Sequence, residues 1–254
     1  MNINLENQVA LVTGASGGIG QSIAIHLAAS GAKVAVNYLS NKQGAEETVR
    51  LIEENGGTAI MLQADVTDLS QIDSLVSKVE EQLGTVDILV NNAGHLIERR
   101  PIGEMTIDLW QKVFDVNVTS AAFMSKAVIP GMKQKGSGSI INLSSLAAHD
   151  GGGPGAVPYA TAKGAIITFT KGLAKELAPF GIRVNSISPG FIDQTKFHTT
   201  FNTEEGRKAT AAKVPLGRGG VPDDISGAAL FLISPLSSYI TGETIEINGG
   251  LFMK

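Results

Sequence analysis

The chain has 254 residues, 43% of them hydrophobic and 17% charged, which suffices for a large core and argues against disorder. A formal net charge of -4 disfavours nucleic acid or an anionic membrane as a general partner. With no cysteine, disulfides, thiolate metal sites and cysteine nucleophiles are excluded. The start, "MNINLENQ", lacks a secretory pattern, and no apolar run approaches the ~18 residues of a membrane span. A cytoplasmic protein without a metal site is therefore expected.

Six short, β-branched, largely apolar runs punctuate the chain: 8–13, 33–38, 58–63, 86–91, 138–144 and 182–188. Such runs suit strands buried on both faces. Helical segments lie between them. Ser40 with Gln43, and Asp68 with Gln71, have the form of capping boxes. Gly31, Gly56, Gly84 and Gly181 stand where a helix ends before a strand. Strand alternating with helix from residue 8 to residue 247, with no linker, predicts an α/β fold. It is a Rossmann-type, doubly wound parallel sheet joined by right-handed crossovers, in one domain over 1–254.

The first strand runs into "TGASGGIG" (13–20) and then a helix. Glycines there let the backbone turn sharply and approach a ligand. The following helix offers free N–H groups to a pyrophosphate. A P-loop is the competing reading, but the loop holds no lysine. Asp65, in "QADVTD", could accept from an adenine amino group, or simply cap a helix. "NNAG" (91–94) follows the fourth strand, at the sheet edge where ligands bind in such folds. In "VPYATAKGAI", Tyr159 and Lys163 are four residues apart, hence on one helix face. A lysine ammonium about 5 Å from a phenol, at an effective dielectric of about 20, favours phenolate by ~3 kcal/mol, roughly two pKa units.

Together these motifs resemble the single-domain branch of the short-chain dehydrogenase/reductase family. The match runs through Thr13-Gly14-x-x-x-Gly18-x-Gly20, Asn91-Asn92-Ala93-Gly94, Asn117 in "FDVNVTS", Ser145 in "INLSS", Tyr159-x-x-x-Lys163, "SPG" at 188–190, and the tail "PLGRGG…SSYITGETIEINGG". The spacing TGxxxGxG separates it from the longer epimerase-like branch. The resemblance implies reversible hydride transfer between a nicotinamide and a carbonyl or secondary alcohol. Tyr159 would be acid and base, Ser145 a second hydrogen bond to the reacting oxygen, and Ser144 the lesser candidate. Lys163 would tune the phenol and hold the nicotinamide ribose, and Asn117 would hold a water leading to solvent. The coenzyme would lie on Gly14, Ser16, Gly18, Ile19, Gly20, Asn37, Tyr38, Ser40, Asn41, Asp65, Val66, Asn91, Ala93, Gly94, Pro189, Gly190, Ile192 and Thr195, besides Tyr159 and Lys163.

Further features refine that expectation. Tyr38 occupies the position of the acidic residue of NAD-preferring relatives, so NADP(H) is expected, with NAD(H) left open. Thr195 stands one residue further from Pro189 than the pattern expects. Residues 191–215 read as a substrate lid, with Thr203 capping a helix that starts with Glu204 and Glu205 and Pro215 closing the region. Phe114, Val118, Phe123, Ile166, Ile167 and Phe169, on long helices at 106–134 and 157–180, predict a homotetramer. For the substrate, Arg99 and Arg100 suit a carboxylate. With the loop "HDGGGPGA" (149–156), His149, and Phe197-His198, they resemble reductases of 2-keto-3-deoxy sugar acids. The alternative is a 3-oxoacyl thioester, as in 3-oxoacyl-ACP reductases, and a different class is a non-catalytic cofactor-sensing protein.

Overall fold

The computed structural model describes residues 3–193 and 195–253, apart from the side chain of His198. Seven parallel strands form one sheet, β1 (Val9–Val12), β2 (Lys33–Tyr38), β3 (Thr58–Gln63), β4 (Ile88–Asn91), β5 (Gly138–Leu143), β6 (Ile182–Pro189) and β7 (Thr244–Ile247), in the order β3-β2-β1-β4-β5-β6-β7. β1 pairs with both β2 and β4, so the strand order reverses beside it. A crevice opens there at the carboxyl edge.

Helices α1 (Gly18–Ala29), α2 (Lys42–Glu54) and α3 (Leu69–Leu83) follow the first three strands. Next come α4 (Ile107–Phe114), α5 (Ser120–Lys135), the short α6 (Ala147–Asp150) and α7 (Val157–Leu177). Two short helices, α8 (Lys196–Phe201) and α9 (Glu204–Ala211), precede α10 (Pro222–Ile233). Residues of α1, α2 and α10 share one core with Val34, Val36, Ile187 and Ile245, while α3, α5 and α7 share the other with Leu11, Leu89, Ile140 and Val184. Strands buried on both faces explain the nearly unbroken apolar runs of the sequence.

This layering departs from the expectation at one crossover. Between β4 and β7 the chain steps steadily outward across the sheet, but α10 lies on the face opposite α5 and α7. The β6–α10–β7 connection therefore has the opposite hand from its neighbours. Residues 190–221 make this feasible by carrying the chain over the top of the sheet before α10 packs its Ile225, Ala229 and Leu232 beside α1.

Local signals fared unevenly. Gly31, Gly56, Gly84 and Gly181 all have φ between 71° and 107°. Thr203 caps α9, its Oγ1 accepting from Gly206 N at 3.1 Å. The cap of α2 is Asn41 rather than Ser40, because the helix starts at Lys42 and Asn41 Oδ1 accepts from Gly44 N. Asp68 does cap α3, but Gln71 bonds to its side chain and not to its backbone N–H: Nε2 donates to Asp68 Oδ2 at 2.8 Å, and Oε1 accepts from Asp65 N at 3.0 Å. The helix expected over 106–134 is broken by a π turn at Asp115–Thr119 between α4 and α5. Such wide turns often mark functional positions, and this one carries Asn117. No helix among the described residues is long and apolar enough to cross a membrane.

Candidate active site

The carboxyl ends of β1, β4, β5 and β6 open into a cleft of about 620 Å³. Gly14, Ser16, Gly18, Ile19 and Gly20 line one end, with Ser40 and Asn41 beside them. A Cβ at Gly20 would lie 2.7 Å from Gly14 O, so only glycine lets α1 start this close to the loop. The loop is fastened from beneath. Asn92 Nδ2 donates to Thr13 O (2.8 Å) and Gly14 O (3.1 Å), Asn41 Nδ2 to Ser16 O (2.9 Å), and Thr48 Oγ1 to Ala15 O (3.0 Å).

These residues fit the diphosphate of a dinucleotide. Helix α1 has a glycine at its N-cap, no side-chain cap and no acidic residue in its first turn, leaving its N–H groups to an anion. Among the described residues no aspartate or glutamate lines the cleft, while Lys163 and Lys196 do.

Several residues expected at the coenzyme do not line this cleft. Asn37 is buried, its Nδ2 donating to Ala64 O and its Oδ1 accepting from Gly14 N; it supports the loop from the core. Tyr38 is packed in the core beneath α1 and α2, and the exposed residue that follows β2 into the cleft is Leu39, which was not among the expected coenzyme residues. Asn91 donates to Ala121 O, Ser125 Oγ and Asn142 Oδ1, away from the cleft, and its neighbour Asn92 faces it instead. Strand alternation explains both displacements: one residue along a strand reverses the side chain's face. Asp65 Oδ1 accepts from Thr67 N and Oγ1 in a local turn. Val66 is core, and Ala93 N donates to Thr13 Oγ1. Gly94, Pro189, Gly190, Ile192 and Thr195 do line the cleft, though the Thr195 hydroxyl donates to Ile192 O at 3.0 Å.

At the middle of the cleft stand Ser145, Tyr159 and Lys163. Tyr159 and Lys163 share a face of α7, and Lys163 Nζ lies 5.6 Å from the Tyr159 ring centroid. Lys163 Nζ donates to Leu143 O at 2.8 Å, which ties the lysine to the end of β5. Ser144 is turned inward, its Oγ donating to Lys163 O. Asn117 Nδ2 donates to His95 O and Val113 O, both at 2.8 Å, while its Oδ1 is a buried acceptor with no partner among the described residues. A Cβ on Gly94 would lie 2.7 Å from that Oδ1 and 2.9 Å from Lys163 Nζ. Glycine thus leaves a gap between the amide oxygen and the ammonium, at the wall of the cleft.

Burial pushes the Tyr159 phenol up to about 12, against the pull of its hydrogen bond with Ser145, and pushes Lys163 down to about 8. The direction is opposite to the lowering expected from the lysine alone, because withdrawal from water dominates at Tyr159.

The end of the cleft beyond Tyr159 is roofed by aromatic rings. Phe197 lies 5.5 Å from Tyr159, Phe201 lies 5.2 Å from Phe197, and the His95 ring meets Phe201 edge-on at 5.3 Å. Burial, and then Lys196, hold the His95 imidazole below its ordinary value. The arginines expected to meet a carboxylate do not line the cleft. Arg99 donates to Pro154 O at 3.0 Å and reaches Phe201 O at 3.4 Å, and Arg100 pairs with Glu98. His149 points toward β7, its Nε2 2.7 Å from Glu246 Oε1 and its ring stacked on Phe252. The side chain of His198 lies outside the described residues.

Comparisons with known proteins agree with this geometry. Residues 14–252 match the family model described as enoyl-(acyl carrier protein) reductase, of the short-chain alcohol dehydrogenase type. The chain is 42% identical over 252 residues to the 3-oxoacyl-(acyl-carrier-protein) reductase FabG of Vibrio cholerae, covering 99% of this chain and 100% of that one. It is 41% identical over 250 residues to the 3-oxoacyl-(acyl-carrier-protein) reductase of Synechocystis, covering 98% of each. Among solved structures, a chain assigned as a short-chain alcohol dehydrogenase from Sinorhizobium meliloti superposes with a TM-score of 0.91 at 40% identity, covering 98% and 97% of the two chains. Another, assigned as an NAD(P)-dependent gluconate 5-dehydrogenase from Beutenbergia cavernae with bound NADP, gives 0.90 at 34% identity and covers 98% of each. The protein therefore belongs to the short-chain dehydrogenase/reductase family, as an NAD(P)-dependent oxidoreductase acting on the CH–OH/C=O pair.

Proposed function

We propose that this enzyme reduces a 3-oxoacyl thioester, of the kind carried on acyl carrier protein, to the 3-hydroxyacyl thioester with NADPH. The observation that carries the substrate is the end-to-end likeness to 3-oxoacyl-(acyl-carrier-protein) reductases at 41–42% identity. The site supports it. The roof over Tyr159 is aromatic, and the two arginines that suited an anionic sugar acid are engaged elsewhere. A 2-keto-3-deoxy sugar acid remains the second reading, favoured by the likeness to the assigned gluconate 5-dehydrogenase. For the coenzyme, Leu39, Ser40 and Asn41 present no carboxylate after β2, so nothing there repels a 2′-phosphate, and a structural relative carries NADP.

When bound, the nicotinamide coenzyme supplies the hydride. Ser145 and Tyr159 then hold the substrate oxygen between a hydroxyl and a phenol. With its phenol pushed up to about 12, Tyr159 is protonated at neutral pH and can give its Oη proton to the oxygen as the carbonyl is reduced. Lys163 stabilises the phenolate left behind, and the Asn117 Oδ1 beside it is an acceptor that can hold a water through which a proton returns from solvent. Residues 191–215 act as a lid, α8 placing Phe197 over the reacting phenol and excluding water.

A homotetramer goes with this reading. Within one chain Phe114, Val118, Phe123, Ile167 and Phe169 are only partly buried, whereas Ile166 is core. These apolar helix faces need a further partner, and light scattering at micromolar concentration should give four times the monomer mass. The substrate is tested by initial rates with acetoacetyl thioester, a keto-deoxy sugar acid and simple ketones, each with NADPH and NADH. Turnover of the acid but not the thioester would replace the first reading with the second.

A further inference from the structure

Three segments far apart in the sequence meet at the guanidinium of Arg99. Nη1 donates to Pro154 O at 3.0 Å, Nε to Phe201 O at 3.4 Å, and Nη2 reaches Asn202 Oδ1 at 3.5 Å. Pro154 lies in the glycine-rich turn that feeds α7 and hence Tyr159. Phe201 ends α8, whose Phe197 covers the Tyr159 ring. The backbones are docked alongside: Arg100 N donates to Gly155 O at 3.0 Å, and a Cβ on Gly155 would fall 2.7 Å from Arg100 N. The loop presenting Arg99 is itself held in an unusual shape. Ile97 has φ 65°, a left-handed conformation that a β-branched side chain rarely adopts, and Ile97 N donates to His95 Nδ1 at 2.7 Å.

A planar fork with donors on several edges suits a junction of carbonyl oxygens. A cation at the end of a helix also meets that helix's unpaired carbonyls. We propose that Arg99 is a positioning residue, a clasp that joins α8 to the 151–156 turn and so holds Phe197 over Tyr159 while the carbonyl is reduced. Arg99 thereby acts through the roof and not on the substrate. The proposal rests on the reading of 191–215 as a lid over a carbonyl-reducing tyrosine. Opening the roof would rehydrate the phenol, whose high value comes from burial. The charged or titratable groups that line the cleft with it are Lys163 on α7, His95 after β4 and Lys196 on α8.

The test compares wild type with Arg99→Ala, Arg99→Lys and Gly153→Val. The last would bring a Cβ to 3.2 Å from Arg99 Nη1 and push the fork aside without changing any charge. Backbone hydrogen exchange of the full-length enzyme should be ~10-fold faster or more at 196–201 in Arg99→Ala, with Arg99→Lys intermediate and Gly153→Val similar to the alanine. KM for an uncharged acetoacetyl thioester should rise roughly 10-fold with a smaller change in kcat, and the rising limb of alcohol oxidation should move to lower pH. Unchanged exchange at 196–201 in folded Arg99→Ala overturns the clasp. So does a kinetic loss confined to keto-acid substrates, which would make Arg99 a carboxylate ligand. Should Arg99→Ala not fold, the lysine and Gly153→Val variants decide between the same outcomes. Should wild type turn over no thioester, the proposed function fails while the exchange measurement still judges the clasp.

Discussion

The two ends of the cleft are held in different ways. At the coenzyme end, the glycine turn is fastened by short side chains from β2, α2 and the loop after β4. Asn37, Thr48 and Asn92 each satisfy the turn's own backbone groups within or next to the core. At the opposite end, proposed for the substrate, the turn at 151–156, the loop at 95–100 and α8 meet mainly through Arg99 and a few tilted or edge-on ring contacts. The first arrangement is rigid because losing any contact strands a buried polar group. The second can open at modest cost, as segments that admit a substrate must. On the proposed reading, recognition of the coenzyme and selection of the substrate are separated in stability as well as in space.

Mutations at the coenzyme end and at the catalytic residues should break that contrast in graded steps. Tyr159→Phe should lower kcat/KM by ~1000-fold, about 4 kcal/mol of transition-state stabilisation, with coenzyme affinity by fluorescence titration unchanged. Substantial residual turnover would remove the phenol from its role. Gly20→Val, which drives a side chain against Gly14 O and Asn92, should weaken coenzyme binding by ~100-fold, about 2.7 kcal/mol. An intact Kd would mean the turn is not the rigid element described above.

Lys163→Met should abolish turnover yet stabilise the fold at pH 7 by about 2 kcal/mol, since a buried ammonium is costly. The sign follows from Lys163 being lowered to about 8 in the folded protein from 10.5. Below pH 8 it is charged in both states and the burial cost is constant. Between pH 8 and 10.5 the unfolded chain binds the extra proton, so wild-type stability rises with pH. Urea unfolding at pH 7.5 and 9.5 should therefore show the variant's advantage shrinking. These values avoid the range above pH 10, where the raised Tyr159 makes ionisation oppose folding. An advantage that stays constant would contradict the burial argument.

The smallest effect concerns coenzyme choice. Leu39→Asp should shift the NADPH/NADH ratio of kcat/KM toward NADH by ~10-fold, about 1.4 kcal/mol. Tyr38→Asp should instead destabilise the protein, because it places a carboxylate in the core. A clean coenzyme switch from Tyr38→Asp would show that side chain to face the cleft after all.

By itself the sequence determined the strand runs, the glycine turn and the pairing of Tyr159 with Lys163. Each is set by periodicity or by spacing within one element, which short-range sterics and the helical repeat enforce. The glycines at the helix ends were legible for the same reason. What single residues do at element ends was not. Whether Tyr38 or Leu39, and Asn91 or Asn92, meets the cleft depends on where a strand stops, and one residue of difference reverses the face. The π turn at Asn117 and the opposite hand of the β6–α10–β7 crossover likewise depend on packing against partners distant in sequence. Arg99 is the clearest case. Its sequence neighbours suited a substrate carboxylate, but folding brings Pro154 O and Phe201 O within its reach, and a guanidinium partly withdrawn from water bonds to the carbonyls that surround it.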